Sequence, residues 1–478
     1  MKKIGILLLI VCLFGQSLYA SVGSTEFDAT TEPTKDLSAE VNSAIASGSY
    51  SLDALNPLLG TEKLVDNARS AIIYESNSQT LLYAWNPDVQ MYPASFVKIM
   101  TALLAIQKGK VEDIVTVNQT AINAIPHDAV SANLVPDEKL SLEELLYCLL
   151  VGSANDAAAV IAEHISGSQS AFIDEMNRYA LELGCTATHF TNVHGLHDDN
   201  QHTTARDCAK ILDIALKNPI FKTVFTASEY TVQPTNLSLA RKLISGNSMM
   251  DTTSKLYYDS RVIGGRTGVT QDGRRCLAAA AESNGMLVVS IVMGAESVYK
   301  EDGYTAVRIG GYKETTQLLD ACLDGYKAVQ ILRAEQILRQ IPIDGAENDL
   351  LVAPQSSVLT VLPFDITVDD LAFHYSDKDI TLPISKGQYV SDVQIWHGTT
   401  CVGQVQLFAM NSVYPAGYNQ AVDPGATSQS LSNALWIIFG IVAFVAVIYL
   451  WIRFSGKIKS ILIRVRARRY RKGHKRNK

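Results

Sequence analysis

Pro93-Ala94-Ser95-Phe96-Val97-Lys98-Ile99-Met100-Thr101-Ala102-Leu103-Leu104-Ala105-Ile106 is the stretch on which the reading of this chain turns. Its apolar residues recur at helical spacing, which predicts a helix beginning near Ser95. A serine in a first helical turn lies beside free backbone N–H groups and the positive end of the helix dipole. A lysine three residues later shares its face, so the amine can reach the hydroxyl. A nucleophile beside a potential base on a rigid element is a layout for acyl transfer. A motif this short also recurs by chance, so its weight depends on the rest of the chain.

Outward from that helix, the apolar runs change period. Ser70 to Trp85 alternates around Glu75-Ser76-Asn77-Ser78, as a β-hairpin does. From Ser95 to about Leu216 the pattern is helical, with further helices at Leu142–Leu150 and Ala157–Ile165. Strand-like runs return at Arg275–Ala281 and Met286–Gly294. Strands first and last with helices between them predict an α+β fold, one antiparallel sheet with an inserted helical lobe. Lys327–Ile341 reads as a closing helix. Beyond it, Leu350–Val352, Ser357–Leu362, Ile380–Leu382, Val390–Trp396 and Cys401–Phe408 read as the strands of a small all-β domain.

The two ends speak of location. Lys2 and Lys3 precede an apolar run from Ile4 to Phe14, and Ala20 offers a cleavage point, the pattern of an export signal. Ala434 to Trp451 is an unbroken apolar run of about 18 residues, the length that crosses a bilayer. Trp436, Tyr449 and Trp451 lie near its ends, and a tail rich in Lys and Arg follows, which places that tail on the cytoplasmic side. The expected organisation is a signal peptide over 1–20, a linker over 21–60 and a main domain over 61–330. A β domain over 340–414, a stalk over 415–433, a transmembrane helix over 434–452 and a basic tail over 453–478 complete it. The formal charge of −7 includes that basic tail, so the region outside the membrane is more acidic still, which argues against a nucleic-acid partner. Apart from Cys12 in the signal, six cysteines remain at spacings that neither require nor exclude disulfides.

Two further stretches bear on chemistry. Gly152-Ser153-Ala154-Asn155-Asp156 precedes an alanine-rich helix, and Ser153 with Asp156 has the spacing of a capping box. Gly264-Gly265-Arg266-Thr267-Gly268-Val269-Thr270 reads as a glycine-rich turn entering a strand. Taken in order, Ser95-Phe96-Val97-Lys98, Ser153-Ala154-Asn155 and Arg266-Thr267-Gly268 match a Ser-x-x-Lys, Ser-x-Asn, Lys-Thr-Gly set. The surrounding text agrees: Pro93-Ala94 and Met100-Thr101 flank the first motif, and Gly195-Leu196 and His202-Thr203-Thr204-Ala205-Arg206-Asp207 follow the second.

On these motifs the chain resembles the serine D-alanyl-D-alanine carboxypeptidases, the low-molecular-mass penicillin-binding proteins, over roughly 71–414. The resemblance implies a penicillin-binding, β-lactamase-like transpeptidase domain followed by a small all-β domain. It implies removal of the terminal D-alanine from peptidoglycan pentapeptide stems through a Ser95 acyl-enzyme, with β-lactams as inhibitors and no cofactor or metal. Lys98 would be the base and Ser153 the proton relay. Asn155 would hold the substrate amide and Lys98. Arg266 and Thr267 would bind the substrate carboxylate, with Gly268 completing the motif. The main-chain N–H groups of Ser95 and Val269 would form the oxyanion hole. The partners implied are peptidoglycan stem peptides, β-lactams and the plasma membrane.

Arg266 stands where the family carries lysine, a fork in place of a point charge. Two alternatives follow: a serine β-lactamase on the same fold, or a wall-binding protein with impaired chemistry. No Glu-x-x-Leu-Asn phrase follows Ser153 to supply a β-lactamase's deacylating water, and a pure binder has no need of Ser95 beside Lys98. Ser245-Gly246-Asn247-Ser248-Met249-Met250 only partly matches a family motif, and no catalytic residue is placed there. His194, His197 and His202 with Asp198 and Asp199 have a metal-like spacing but lack a helical His-Glu-x-x-His, and they read as a loop that shapes the site.

Overall fold

A computed structural model describes residues 57–417 except 61, 273, 303–305 and 377–378. The expected signal peptide, transmembrane helix and basic tail lie outside the described residues, as do most of the linker and stalk. Among the described residues no helix is long and apolar enough to cross a membrane.

The hairpin expected at the start forms as β1 (Ser70–Glu75) and β2 (Thr80–Trp85), paired antiparallel. Helix α1 (Val97–Lys108) follows the short 3-10 turn Ala94–Phe96. A small ladder joins β3 (Ile114–Thr116) to β4 (Lys139–Ser141), with α2 (Gln119–Asn123) between them. The helical lobe continues with α3 (Leu142–Leu150), α4 (Asn155–Ser166), α5 (Gln169–Glu182), α6 (Ala205–Leu216) and α7 (Pro219–Phe225). A second hairpin, β5 (Glu229–Val232) with β6 (Arg241–Ile244), precedes β7 (Val262–Val269), β8 (Arg275–Ser283) and β9 (Met286–Ala295). A short ladder of β10 (Val298–Tyr299) with β11 (Ala306–Arg308) follows. The main sheet runs β2-β1-β9-β8-β7, all antiparallel, so β7 is an edge strand.

Both faces of this sheet are covered, which explains why its strands read as continuous apolar runs. Along β8 the side chains alternate between two cores: Cys276, Ala278 and Ala280 face the helical lobe, and Leu277, Ala279 and Ala281 face the other side. Helix α8 (Tyr312–Leu323) closes that second side with Leu318, Leu319, Cys322 and Leu323. Helix α1 is buried at every position from Val97 to Ala105, as a helix at the centre of a lobe must be.

The closing helix expected over Lys327–Ile341 is not there. Tyr326–Leu332 is β12, a strand, and Arg339–Ile341 is β13. β12 pairs with the later strand β15 (Val358–Pro363), a non-local partner that overrides the local pattern. The closing helix is instead α8. The described residues after Leu323 contain no α-helix, only strands and one 3-10 turn.

By internal packing the chain divides into two units. One holds the described residues up to Arg333 with Ser356–His374 and Gln394–Gln404, and so includes the β12–β15 ladder. The other contains β13 paired with β14 (Leu350–Pro354), and β14 paired with residues Leu407–Ala409. The strand expected at Ile380–Leu382 is absent, because Pro383 lacks an N–H and restricts the residue before it. A strand appears instead at Ala372–Tyr375. None of the six described cysteines forms a disulfide; five are buried and Cys401 is exposed.

Candidate active site

Ser95 sits in the 3-10 turn at the head of α1, half-buried, after Ala94 with its φ at +47°. A left-handed non-glycine residue before a candidate nucleophile is backbone strain held by the surrounding fold. Part of that fold is the 192–196 loop. Gly195 has φ +84°, and a Cβ there would lie 1.9 Å from the Ala94 carbonyl oxygen. Only glycine lets the loop approach so closely.

Lys98, one turn further on, is 1 % exposed. Its Nζ donates to Asn155 Oδ1 at 2.7 Å and to the His194 carbonyl at 2.5 Å. Burial and the nearby Arg266 cation hold its pKa well below the ordinary lysine value, with Asp156 opposing them. The His194 imidazole is pushed down to about 4 by burial and by Lys98, so it is neutral near pH 7. Its Nδ1 accepts from the Leu196 N–H. The loop therefore contributes a main-chain acceptor to the lysine. The histidines and carboxylates around it form no cluster of three or more that could hold a metal ion among the described residues.

Asn155 reaches Lys98 from the first residue of α4, and Ser153 stands in the turn just before it. The capping-box expectation does not hold: the N-cap is Ala154, with no side-chain cap bond. Ser153 takes φ +60°, a left-handed turn that leaves the helix start. Asp156 turns its carboxylate to a neighbouring segment, accepting from Ser131 Oγ at 2.6 Å and from the N–H groups of Ala132 and Leu134 at 3.0 Å each.

β7 forms the opposite wall. Arg266 is 4 % exposed, and its Nη1 donates to the Leu150 carbonyl at 2.6 Å. Its Nε and Nη2 have no hydrogen-bond partner among the described residues. Burial lowers its pKa to about 10, still high enough to keep the charge at neutral pH. At Gly268 a Cβ would meet Ala94 Cβ at 2.9 Å and the Ser95 nitrogen at 3.2 Å, so the missing side chain brings the strand against the nucleophile turn. Thr267 is half-buried and Val269 half-exposed along the same strand.

The fold brings five of the sequence-predicted residues together: Lys98 bonds Asn155 and feels Arg266, and Gly268 lies against the Ser95 turn. Ser153 stands two residues before Asn155, and Thr267 and Val269 flank Gly268 on β7. Three contributions escaped the sequence reading. The His194 carbonyl is main chain and carries no side-chain signature. Asp156 was read as a cap partner. Asn247, assigned no role, is buried beneath β7, where a Cβ on Gly265 would fall 2.3 Å from its Nδ2. The glycine pair Gly264-Gly265 was the available signal for that close approach. A cavity of about 280 Å³, lined in part by Tyr92, Thr270, Asp272 and Arg274, opens past the end of β7.

Comparison with known proteins agrees with this geometry. Residues 61–297 match the model of the D-alanyl-D-alanine carboxypeptidase family, peptidase S11. The D-alanyl-D-alanine carboxypeptidase DacA of Escherichia coli K12 is 31 % identical over 360 residues, covering 73 % of this chain and 84 % of that protein. The enzyme of the same name from Haemophilus influenzae is 29 % identical over 389 residues, covering 79 % and 93 %. Among solved structures, penicillin binding protein 5 from Haemophilus influenzae superposes with a TM-score of 0.63 at 26 % identity, covering 74 % of this chain and 99 % of that one. The fold is a penicillin-binding-protein-like α+β fold with antiparallel sheets.

Proposed function

Because the chain belongs to the D-alanyl-D-alanine carboxypeptidase family, we propose that it removes the terminal D-alanine from peptidoglycan stem pentapeptides through an acyl-enzyme on Ser95. The observation that carries the mechanism is the buried Lys98 amine, bonded to Asn155 Oδ1 and the His194 carbonyl one turn from Ser95. An amine whose charged form is disfavoured by burial and by a neighbouring cation gives up its proton more readily than an ordinary lysine, as a general base must.

In this reading Lys98 takes the Ser95 proton as Oγ attacks the carbonyl of the penultimate D-alanine. The N–H groups of Ser95 and Val269 receive the negative charge of the tetrahedral intermediate, favoured by the close approach at Gly268. Ser153 passes a proton to the leaving amine, and D-alanine departs. Asn155 orients the substrate amide while holding Lys98. Water then hydrolyses the ester on Ser95. The substrate's carboxylate meets the hydroxyl of Thr267 and the Arg266 guanidinium, whose Nε and Nη2 are buried without a partner among the described residues and become available once the strand edge opens to substrate. The cavity beyond β7 leaves room for the rest of the stem. β-Lactams acylate the same serine.

The same reading places the catalytic domain outside the plasma membrane, exported by the N-terminal signal and anchored by 434–452, with the β domain as a spacer. The lysines before the first apolar run and the basic tail after the last support it.

The test is acylation by a labelled penicillin together with D-alanine release from a pentapeptide, both on the purified full-length protein. Wild type is expected to do both and Ser95→Ala neither. A wild type that does neither, or a Ser95→Ala protein that is still acylated, overturns the assignment.

A further inference from the structure

We propose that Asp156 is a positioning residue for acylation: its carboxylate ties the Val130–Leu134 segment to the head of α4 and so keeps Asn155 and Lys98 in register with Ser95. The inference rests on the function proposed above.

Asp156 is 2 % exposed, and no cation pairs with it among the described ion pairs. Its charge is met instead by four donors. Oδ2 accepts from Ser131 Oγ at 2.6 Å and Leu134 N at 3.0 Å, and Oδ1 accepts from Ala132 N at 3.0 Å and Ala157 N at 2.9 Å. It also sits in the first turn of α4, where the helix dipole favours an anion. A buried carboxylate is costly unless its bonds are complete, and here three of the four are made to one segment.

Ala132 and Leu134 of that segment are buried in the core of the helical lobe, while the residues around them face outward. Val130 is 55 % exposed, Ser131 and Asn133 are exposed, and Ser131, Asn133 and Asp156 line a cavity of about 440 Å³ together with Ile122, Pro126 and His127. Yet it reaches the reacting groups directly: the Val130 carbonyl accepts from Asn155 N at 2.8 Å, and Asn155 Oδ1 accepts from Lys98. Side chain and main chain of consecutive residues thus lace the segment to the helix head that carries Asn155.

The charge of Asp156 supplies a readout that scaffolding alone would not. Three groups act on Lys98 or lie against it. Arg266 on β7 drives its proton off, the neutral His194 presents a carbonyl, and Asp156 on α4 is the anion that favours the proton. Removing that anion lowers the pH at which Lys98 becomes a base.

The experiment measures kcat/KM for D-alanine release and the rate of penicillin acylation against pH, on full-length wild type, Asp156→Asn and Ser131→Ala. Asp156→Asn is expected to move the acid limb to lower pH and to lower the plateau about tenfold or more, with a cooperative thermal transition retained. A folded Asp156→Asn protein whose acid limb stays at the wild-type position overturns the proposal, as does one with a wild-type plateau. Ser131→Ala keeps the charge and removes one bond to the segment. It is expected to lose about threefold or more in kcat/KM with its acid limb unmoved, and wild-type kinetics overturn the proposal even if Asp156→Asn does not fold. An inactive wild type would instead defeat the underlying function, so the two failures are distinct.

Discussion

Arg266→Lys separates a fork from a point charge. In the structure Nη1 is engaged by the Leu150 carbonyl, while Nε and Nη2, which form one edge of the guanidinium, have no partner among the described residues. That edge matches a carboxylate bidentately. A lysine ammonium can keep the Leu150 bond or meet the carboxylate, but it cannot reproduce both edges. At least one charge-assisted hydrogen bond is lost, about 1.5–3 kcal/mol. At about 1.4 kcal/mol per decade this predicts a fall of about 10- to 150-fold in kcat/KM. The assay compares D-alanine release from an acyl-D-alanyl-D-alanine peptide with release of D-alaninamide from the same peptide amidated at its C-terminus. The loss should appear on the free acid and stay within about threefold of wild type on the amide. Because the charge is kept, Lys98 retains its cationic neighbour and the acid limb should not move. Equal losses on both substrates, or none on the free acid, would show that Arg266 does not bind the carboxylate.

Gly195→Ala should destabilise the protein and slow acylation together. Its Cβ would sit 1.9 Å from the Ala94 oxygen at a φ of +84°, and backbone strain alone costs about 1–3 kcal/mol. A melting temperature and penicillin acylation rate equal to wild type would contradict that packing. Asp213 gives a prediction in pH. Its carboxyl, bonded by Ser76 Oγ and Lys217, is raised by burial to about 6. The folded chain therefore holds this proton more tightly than the unfolded one, whose carboxyl titrates near 3.9. The stability it contributes is complete below about pH 4 and is lost as pH rises through about 6, a change of about 3 kcal/mol. Asp213→Asn abolishes that loss, so urea denaturation should find the variant gaining on wild type between pH 4 and 7. A difference from wild type that is the same at both pH values would exclude it.

Elements whose signal is local were legible in the chain itself. The β1–β2 hairpin, α1, α3 and the paired β8 and β9 follow from period and from turn residues lying next to them. Lys327–Ile341 misled because its apolar spacing suits a helix, whereas its fate is decided by a partner strand much later in the chain. The same division runs through the site. Ser95, Lys98, Asn155 and Arg266 lie in short motifs, and the fold brings them together. The carbonyl of His194 and the left-handed turn at Ser153 are properties of backbone path, which side-chain spacing does not encode. Asp156 was visible but ambiguous, since a carboxylate near a helix start serves equally as a cap partner or as an anchor for a distant segment.

The cysteines have a consequence for how the protein keeps its folded state. Burial pushes Cys148 up to about 12 and Cys276 to about 11, and raises Cys208 and Cys322 as well, so these thiols remain protonated and slow to exchange. No disulfide links the described cysteines, and the two packed cores on either face of the main sheet hold without a crosslink. The described region is therefore held by packing and not by disulfides, and its melting temperature should be the same with and without a reductant.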